Sequence, residues 1–158
     1  LNQPIIIKIC VRSQKTGYHG LITRTMVKGH ATDPFRKLYT AVLAAQELGL
    51  QTLAPGVPAS YLCDLIQAYF NQSGFSTLNT RHPNIPSPRE IGHGLGLQPI
   101  EPPELTRDST RILMPAHVIA LQPCLRQPQI GTAQIQDVVV FTTKGARALT
   151  RFQKSLEL

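Results

Sequence analysis

Two residue types in this chain could do chemistry where they stand. His93 lies in Gly92-His93-Gly94-Leu95-Gly96, and an imidazole can ligate a divalent metal or move a proton near neutral pH. The alternating glycines do not make a phosphate loop, because no Gly-Lys-Ser/Thr follows, and a dinucleotide fingerprint is absent as well. On chemistry alone His93 is therefore either a metal ligand or, more commonly, a hydrogen-bonded loop residue. Cys10 is the other candidate, since a cysteine beside a histidine can carry out acyl transfer. The commoner role for such a thiol is core packing, here in a buried strand among Ile7, Ile9 and Val11. Cys10, Cys63 and Cys124 are odd in number, far apart and without C-x-x-C spacing, which indicates neither a disulfide framework nor a structural zinc site.

The elements that must position these residues follow from periodicity. Residues 5–11 are rich in β-branched side chains, Gly17 marks a turn, and residues 21–27 form a second strand candidate, so an antiparallel pair is expected. Asp33-Pro34 reads as a helix start, with a capping carboxylate ahead of proline. Phe35, Leu38, Tyr39, Val42 and Ala45 then recur at helical spacing on one face. A second helix from about Ala59 to Asn71 carries Leu62, Leu65, Ile66, Tyr69 and Phe70 as its apolar stripe, with Gly74 as its stop. Residues 77–88 read as an exposed loop rich in proline and polar residues. Further strands are expected over residues 117–121, 133–142 and 148–150, which makes the domain α+β.

Composition limits the classes that remain. A chain of 158 residues with 42% hydrophobic and 16% charged residues suits one globular domain with one core. The formal charge of +7 would suit nucleic acid only if the basic residues clustered, and they are mostly scattered. No apolar run is long enough for a membrane span or the core of a signal peptide. A reducing, cytoplasmic setting and no nucleic-acid or membrane partner are expected.

Several segments, taken in order, raise the weight of His93. Gly17-Tyr18, Ile22-Thr23-Arg24-Thr25, Gly92-His93-Gly94-Leu95-Gly96-Leu97, Gln122-Pro123, Gln136-Asp137, Gly145 and Leu149-Thr150-Arg151-Phe152 together resemble one known series. It is that of the pita-bread metallopeptidases: Xaa-Pro aminopeptidase, prolidase, methionine aminopeptidase and the metal-free relative creatinase. The resemblance covers nearly the whole chain and is nearest to the Xaa-Pro branch. It implies a curved antiparallel sheet with helices on its outer face, and a further upstream portion of the domain before the position of Cys10. Residues 1–158 would then be one partial peptidase-like domain.

The family holds two divalent metals (manganese, cobalt or zinc) with two aspartates, a histidine and two glutamates, and a metal-bridging water attacks the peptide carbonyl. About four anionic ligands offset the charge of two dications. Carried over by position, the aspartates fall at Cys10 and Leu21, the histidine at His93, and the glutamates at Gln122 and Gln136. One ligand of five is retained. The histidine expected seven residues after the ligand falls at Ile100 and the one expected four before it at Arg89. The arginine expected two before the last glutamate falls at Gln134. Glu101 and Asp137 keep family character, and with Arg89, Ile100 and Gln134 they are candidates to line the pocket.

The resemblance thus implies a peptidase-like domain without an intact catalytic set and with no cofactor. Its expected role is to bind a peptide or protein as a pseudoenzyme, or to act as a piece of a larger peptidase-like chain, with a homodimer as one remedy for an incomplete sheet. Two alternatives stand beside it. An atypical active Xaa-Pro aminopeptidase or dipeptidase would hold one zinc between Cys10 and His93. A creatinase-like amidinohydrolase would need carboxylates where Gln122 and Gln136 stand, because an amide cannot pair with a guanidinium as a carboxylate does.

Overall fold

The computed structural model describes residues 2–75, 90–142 and 145–158. The apolar alternation near the start forms β1 (Pro4–Arg12) and β2 (His19–Val27), an antiparallel hairpin that pairs Ile9 with Ile22 and Cys10 with Leu21. Gly17 turns the chain with φ +77°, a backbone conformation that glycine adopts without steric cost. β1 is not the buried strand expected. Cys10, Ile7, Ile9 and Val11 are all exposed, because among the described residues β1 has no sheet neighbour other than β2.

Helix α1 (Asp33–Thr52) buries the predicted stripe of Phe35, Leu38, Tyr39, Val42 and Ala45. Its cap differs from the expectation. Thr32 is the N-cap and makes no side-chain cap bond, while the Asp33 carboxylate lies inside the first turn and accepts from Arg36 Nη1 at 2.7 Å. Helix α2 (Ala59–Gln72) buries Leu62, Ile66 and Phe70, with Cys63 and Gln67 beside them. Leu65 and Tyr69 are only partly covered. Gly74, with φ +82°, ends the helix as its position suggests. The loop expected over residues 77–88 lies outside the described residues.

Six of the seven remaining strands depart from the expectation in existence or bounds. They are β3 (Glu90–Gly94), β4 (Glu101–Thr106), β5 (Val118–Leu121), β6 (Cys124–Gln127), β7 (Gly131–Gln134), β8 (Asp137–Thr142) and β9 (Gly145–Ala148). The run over residues 133–142 is thus two strands, and β9 begins earlier than the short strand expected. Five of the seven form an antiparallel sheet in the order β4-β3-β5-β8-β9, and β6 pairs with β7. On one face of the sheet Ile91, Leu105, Ile119, Leu121, Val139 and Phe141 meet both helices in the main core. The other face carries Ala120 and Val138, which pack with Leu21 and Leu95 in a second, smaller cluster. Sheet alternation decides which side each neighbour serves.

The glycine-rich segment is a strand as far as Gly94. β3 runs between β4 and β5, with His93 opposite Glu104 on one side and Ala120 on the other. A Cβ on Gly92 would come within 2.5 Å of the Ala120 carbonyl oxygen, and one on Gly94 would meet the Pro102 carbonyl oxygen still closer. The glycines therefore serve close backbone approach in a central strand. No helix among the described residues is long and apolar enough to cross a membrane.

Candidate functional site

His93 is 1% exposed and shares a sheet face with its cross-strand partner Ala120. Its Nδ1 lies 2.9 Å from the Gly94 carbonyl oxygen. A carbonyl only accepts, so Nδ1 carries the proton and Nε2 presents a lone pair. Nε2 is buried and has no hydrogen-bond partner.

The two glutamine positions meet directly. Gln136 Nε2 donates to Gln122 Oε1 at 2.9 Å, the Thr23 hydroxyl donates to Gln136 Oε1 at 2.8 Å, and Gln122 Nε2 donates to Glu90 Oε1 at 3.2 Å. The backbones of Thr23 and Gln136 also exchange two bonds, at 3.3 and 3.0 Å. The result is one chain of neutral groups from β2 across to β3, ending on a carboxylate, in which each glutamine has one donor and one acceptor engaged. Gln122 and Gln136 are nearly inaccessible to solvent, and buried amides of this kind are stable only when so paired.

Leu21 packs against Ala120 and Val138, the residues that flank this chain on β5 and β8. Cys10 faces Leu21 across the hairpin. The structure therefore brings Leu21, His93, Gln122 and Gln136 to one side of the sheet, with Cys10 at its open margin. Next to them lies a cavity of about 350 Å³ lined by Tyr18, His19, Leu21, Leu95, Val118, Val138, Leu149 and Thr150. Its lining is mainly apolar. His19 was missed in the sequence reading. The signal was available, because alternation along β2 puts residues 19, 21 and 23 on one face, and the His19 backbone donates to the Gly96 carbonyl at 2.9 Å.

The candidate lining residues divide. Glu101 stays at the margin, its carboxylate against the backbone of Gly96. Gln134 is buried on β7, its backbone N–H donating to the Thr25 hydroxyl at 2.9 Å and its Nε2 without a partner. Ile100 does not line the pocket: it is 56% exposed just before β4. Arg89 lies outside the described residues. Asp137 is buried on the opposite, helix-facing side, since its cross-strand partner is the core residue Leu121.

There Asp137 accepts from Arg24 Nη2 at 2.6 Å, the Thr150 hydroxyl at 2.7 Å, Gln46 Nε2 at 3.0 Å and Lys154 Nζ at 3.0 Å. Burial pushes its pKa upward, but the bonds from Thr150, Arg24 and Lys154 outweigh that and hold the carboxyl below its ordinary value. Arg24 also donates to the carbonyls of Phe152 and Gln153 at 2.9 and 3.0 Å. This cluster fastens residues 150–154 to the sheet. Two thiols are inert by the opposite route, burial pushing Cys63 up to about 11 and Cys124 up to about 12.

Residues 1–143 match metallopeptidase family M24, and the chain belongs to that family. It is 29% identical to an Xaa-Pro dipeptidase of Pyrococcus furiosus over 88% of this chain and 38% of the relative. It is 31% identical to the uncharacterized peptidase YqhT of Bacillus subtilis over 89% of this chain and 37% of the relative. The prolidase structure from Pyrococcus horikoshii superposes with a TM-score of 0.86 at 26% identity, covering 98% of this chain and 42% of that one. The chain thus spans about two fifths of these relatives, and its fold is the pita-bread fold.

Members of the family work with divalent metals, and the donor set here does not fit a two-metal centre. Leu21 has no donor atom, and the oxygens of Gln122 and Gln136 are already engaged by amide and hydroxyl donors. Of the five positions only the lone pair of His93 Nε2 and the sulfur of Cys10, exposed at the margin, remain, too few for two dications. Among the described residues no group of three or more His, Cys, Asp or Glu side chains is placed to hold a metal ion.

Proposed function

We propose that this chain is an Xaa-Pro peptidase-like M24 domain that binds a peptide or protein segment without hydrolysing it. The observation that carries this reading is the hydrogen-bond chain from Thr23 through Gln136 and Gln122 to Glu90. Carboxylates at both glutamine positions would lie within hydrogen-bond distance of each other and, without metal, would repel or take up protons. The two amides remove that conflict and close the polar face of the site on itself. Acidic side chains at positions 10, 21, 122 and 136 would bring the formal charge from +7 to +3, so part of the basic balance follows from the same replacements.

Binding without cleavage suits the neighbouring cavity. Leu21, Leu95, Val118, Val138 and Leu149 offer an apolar wall, while Tyr18 and His19 stand at its edge. A ligand with an apolar side chain would remove that wall from water, at about 25 cal/mol per Å² of apolar surface covered. These residues supply no carboxylate ligands to hold a metal-activated water.

The test is a turnover assay on Xaa-Pro dipeptides after chelation and reloading with manganese, cobalt or zinc, run beside peptide titration followed by NMR. No turnover is expected under any metal, with shifts on Leu95, Val118 and Val138 as peptide is added. Metal-dependent release of proline would sink the reading. Cleavage of creatine would sink it as well.

A further inference from the structure

On β2 the odd-numbered residues turn their backbone groups away from β1. The His19 N–H donates to the Gly96 carbonyl at 2.9 Å, and Thr23 exchanges two bonds with Gln136. Val27 donates to the Leu156 carbonyl at 2.7 Å and accepts from the Leu158 N–H at 3.0 Å. Alternation along an antiparallel ladder gives Leu21 the same direction, so Leu21 and its partner Cys10 form a pair without mutual hydrogen bonds. Neither the N–H nor the C=O of Leu21 then has a partner among the described residues. The His19 carbonyl is open as well, because Gly96 gives its own N–H to the Gln98 carbonyl at 3.2 Å.

The cause is the path of β8. The antiparallel bridge of Thr23 with Gln136, continued along the ladder, would set Leu21 opposite Val138. Val138 instead donates its N–H to the Thr150 hydroxyl at 3.2 Å and accepts the Leu149 N–H at 2.7 Å. The two strands therefore part beyond the bridge. The cavity of about 350 Å³ fills the wedge between them, with Leu21 on one wall and Val138, Leu149 and Thr150 on the other. Both walls belong to the described residues, so the gap lies between elements of this fold. Leu21 is 4% exposed, and buried backbone groups are rarely left unpaired.

We infer that the wedge takes an extended, uncharged stretch of polypeptide as one further strand on β2. One ligand residue exchanges its N–H and C=O with Leu21 and sets an apolar side chain against Leu95, Val118 and Val138. The inference rests on the peptide-binding reading above and names what that site selects. Strand addition draws its affinity from main-chain bonds and its specificity from the pockets beside them, and the wedge has both.

Two exclusions follow from the chemistry of the lining. The residue facing Leu21 is not proline, which has no N–H to give to the Leu21 carbonyl. A free amino or carboxyl terminus is excluded too, because no Asp, Glu, Lys or Arg lines the cavity and a charge taken from water without a partner is costly. The ligand is accordingly an internal segment centred on an apolar residue other than proline, and not a free Xaa-Pro dipeptide.

The experiment compares three probes on the full chain by NMR titration and amide hydrogen exchange: acetyl-Ala-Leu-Ala-amide, the same peptide with its leucine nitrogen methylated, and free Leu-Pro. The capped peptide should shift Leu95, Val118 and Val138 and slow exchange of the Leu21 amide. The Gly20 and Ile22 amides, already bonded to β1 by the same alternation, should exchange as before. Methylation should weaken binding roughly 10-fold or more, since it removes one hydrogen bond and leaves a buried carbonyl unpaired. Leu-Pro should bind more weakly than the capped peptide. Unchanged affinity on methylation, a Leu21 amide still exchanging freely in the saturated complex, or tighter binding of Leu-Pro would each overturn this inference and leave the peptide-binding reading standing. Failure of all three probes to bind would overturn both.

Discussion

Gln136 and Asp137 are adjacent in sequence and belong to opposite kinds of interior. Gln136 faces the family's catalytic side of the sheet, where it joins Thr23 and Gln122 through neutral hydrogen bonds. Asp137 faces the helices and is held by Arg24, Thr150, Lys154 and Gln46. Both are buried. The difference teaches what holds each side: the charged side is a fastening that keeps residues 150–154 on the sheet, and the neutral side holds polar groups that satisfy one another. A buried charge persists only with partners in place, and here those partners are on the fastening side alone.

The sharpest break in that contrast comes from removing the charge. Asp137→Ala should cost about 3–5 kcal/mol in urea unfolding, because it strands the Arg24 guanidinium in the interior. Gln136→Ala should cost less, about 1–3 kcal/mol, since it leaves a hydroxyl and an amide unpaired but no ion. If the two losses were equal, the division into a charged and a neutral interior would not hold.

Acid probes the same division without mutation. The folded pKa of Asp137 lies below its ordinary value, so its contribution is complete above the unfolded carboxylate pKa of about 3.9 and is lost as pH falls through the lower folded value. The neutral chain contributes no such dependence through its glutamines. The melting temperature should therefore fall below about pH 4, and Asp137→Asn, less stable throughout, should show a shallower acid decline. An unchanged acid profile in that variant would assign the dependence elsewhere.

Gln136→Glu is expected to act more mildly. A carboxylate there keeps the bond from Thr23 but faces the Gln122 oxygen, so a loss of about 1–2 kcal/mol is expected at neutral pH. The loss should shrink as pH falls and the new carboxyl takes up a proton. Chelation should have the smallest effect of all, leaving the melting temperature of the native chain where it was. A fall on adding EDTA would mean that the neutral side still depends on metal.

Much of this was legible in the sequence. The helical stripes of α1 and α2 could be read because apolar periodicity is local, and the order of the family segments groups Leu21, His93, Gln122 and Gln136 from sequence alone. What could not be read depended on neighbours distant in sequence. β3 looked like a loop because its glycines suit a turn as well as a strand squeezed between Ala120 and Pro102. Cys10 looked buried because Ile7, Ile9 and Val11 surround it, yet among the described residues the strand they form pairs with β2 alone. Asp137 looked like a pocket residue because it follows Gln136, and a single step along β8 turned it to the other face. Asp33 looked like a cap because Pro34 follows it, but Arg36, one turn on, takes its carboxylate.

The central claim is that the family's two-metal site is replaced here by groups that satisfy one another. Calorimetric titration of the chelated chain with manganese, cobalt and zinc tests it directly, with a variant carrying Cys10→Asp, Leu21→Asp, Gln122→Glu and Gln136→Glu alongside. The native chain should bind less than one ion of any of the three, and the variant should take up metal that the native chain refuses. Two equivalents bound by the native chain, with loss of the signal on His93→Ala, would contradict the account.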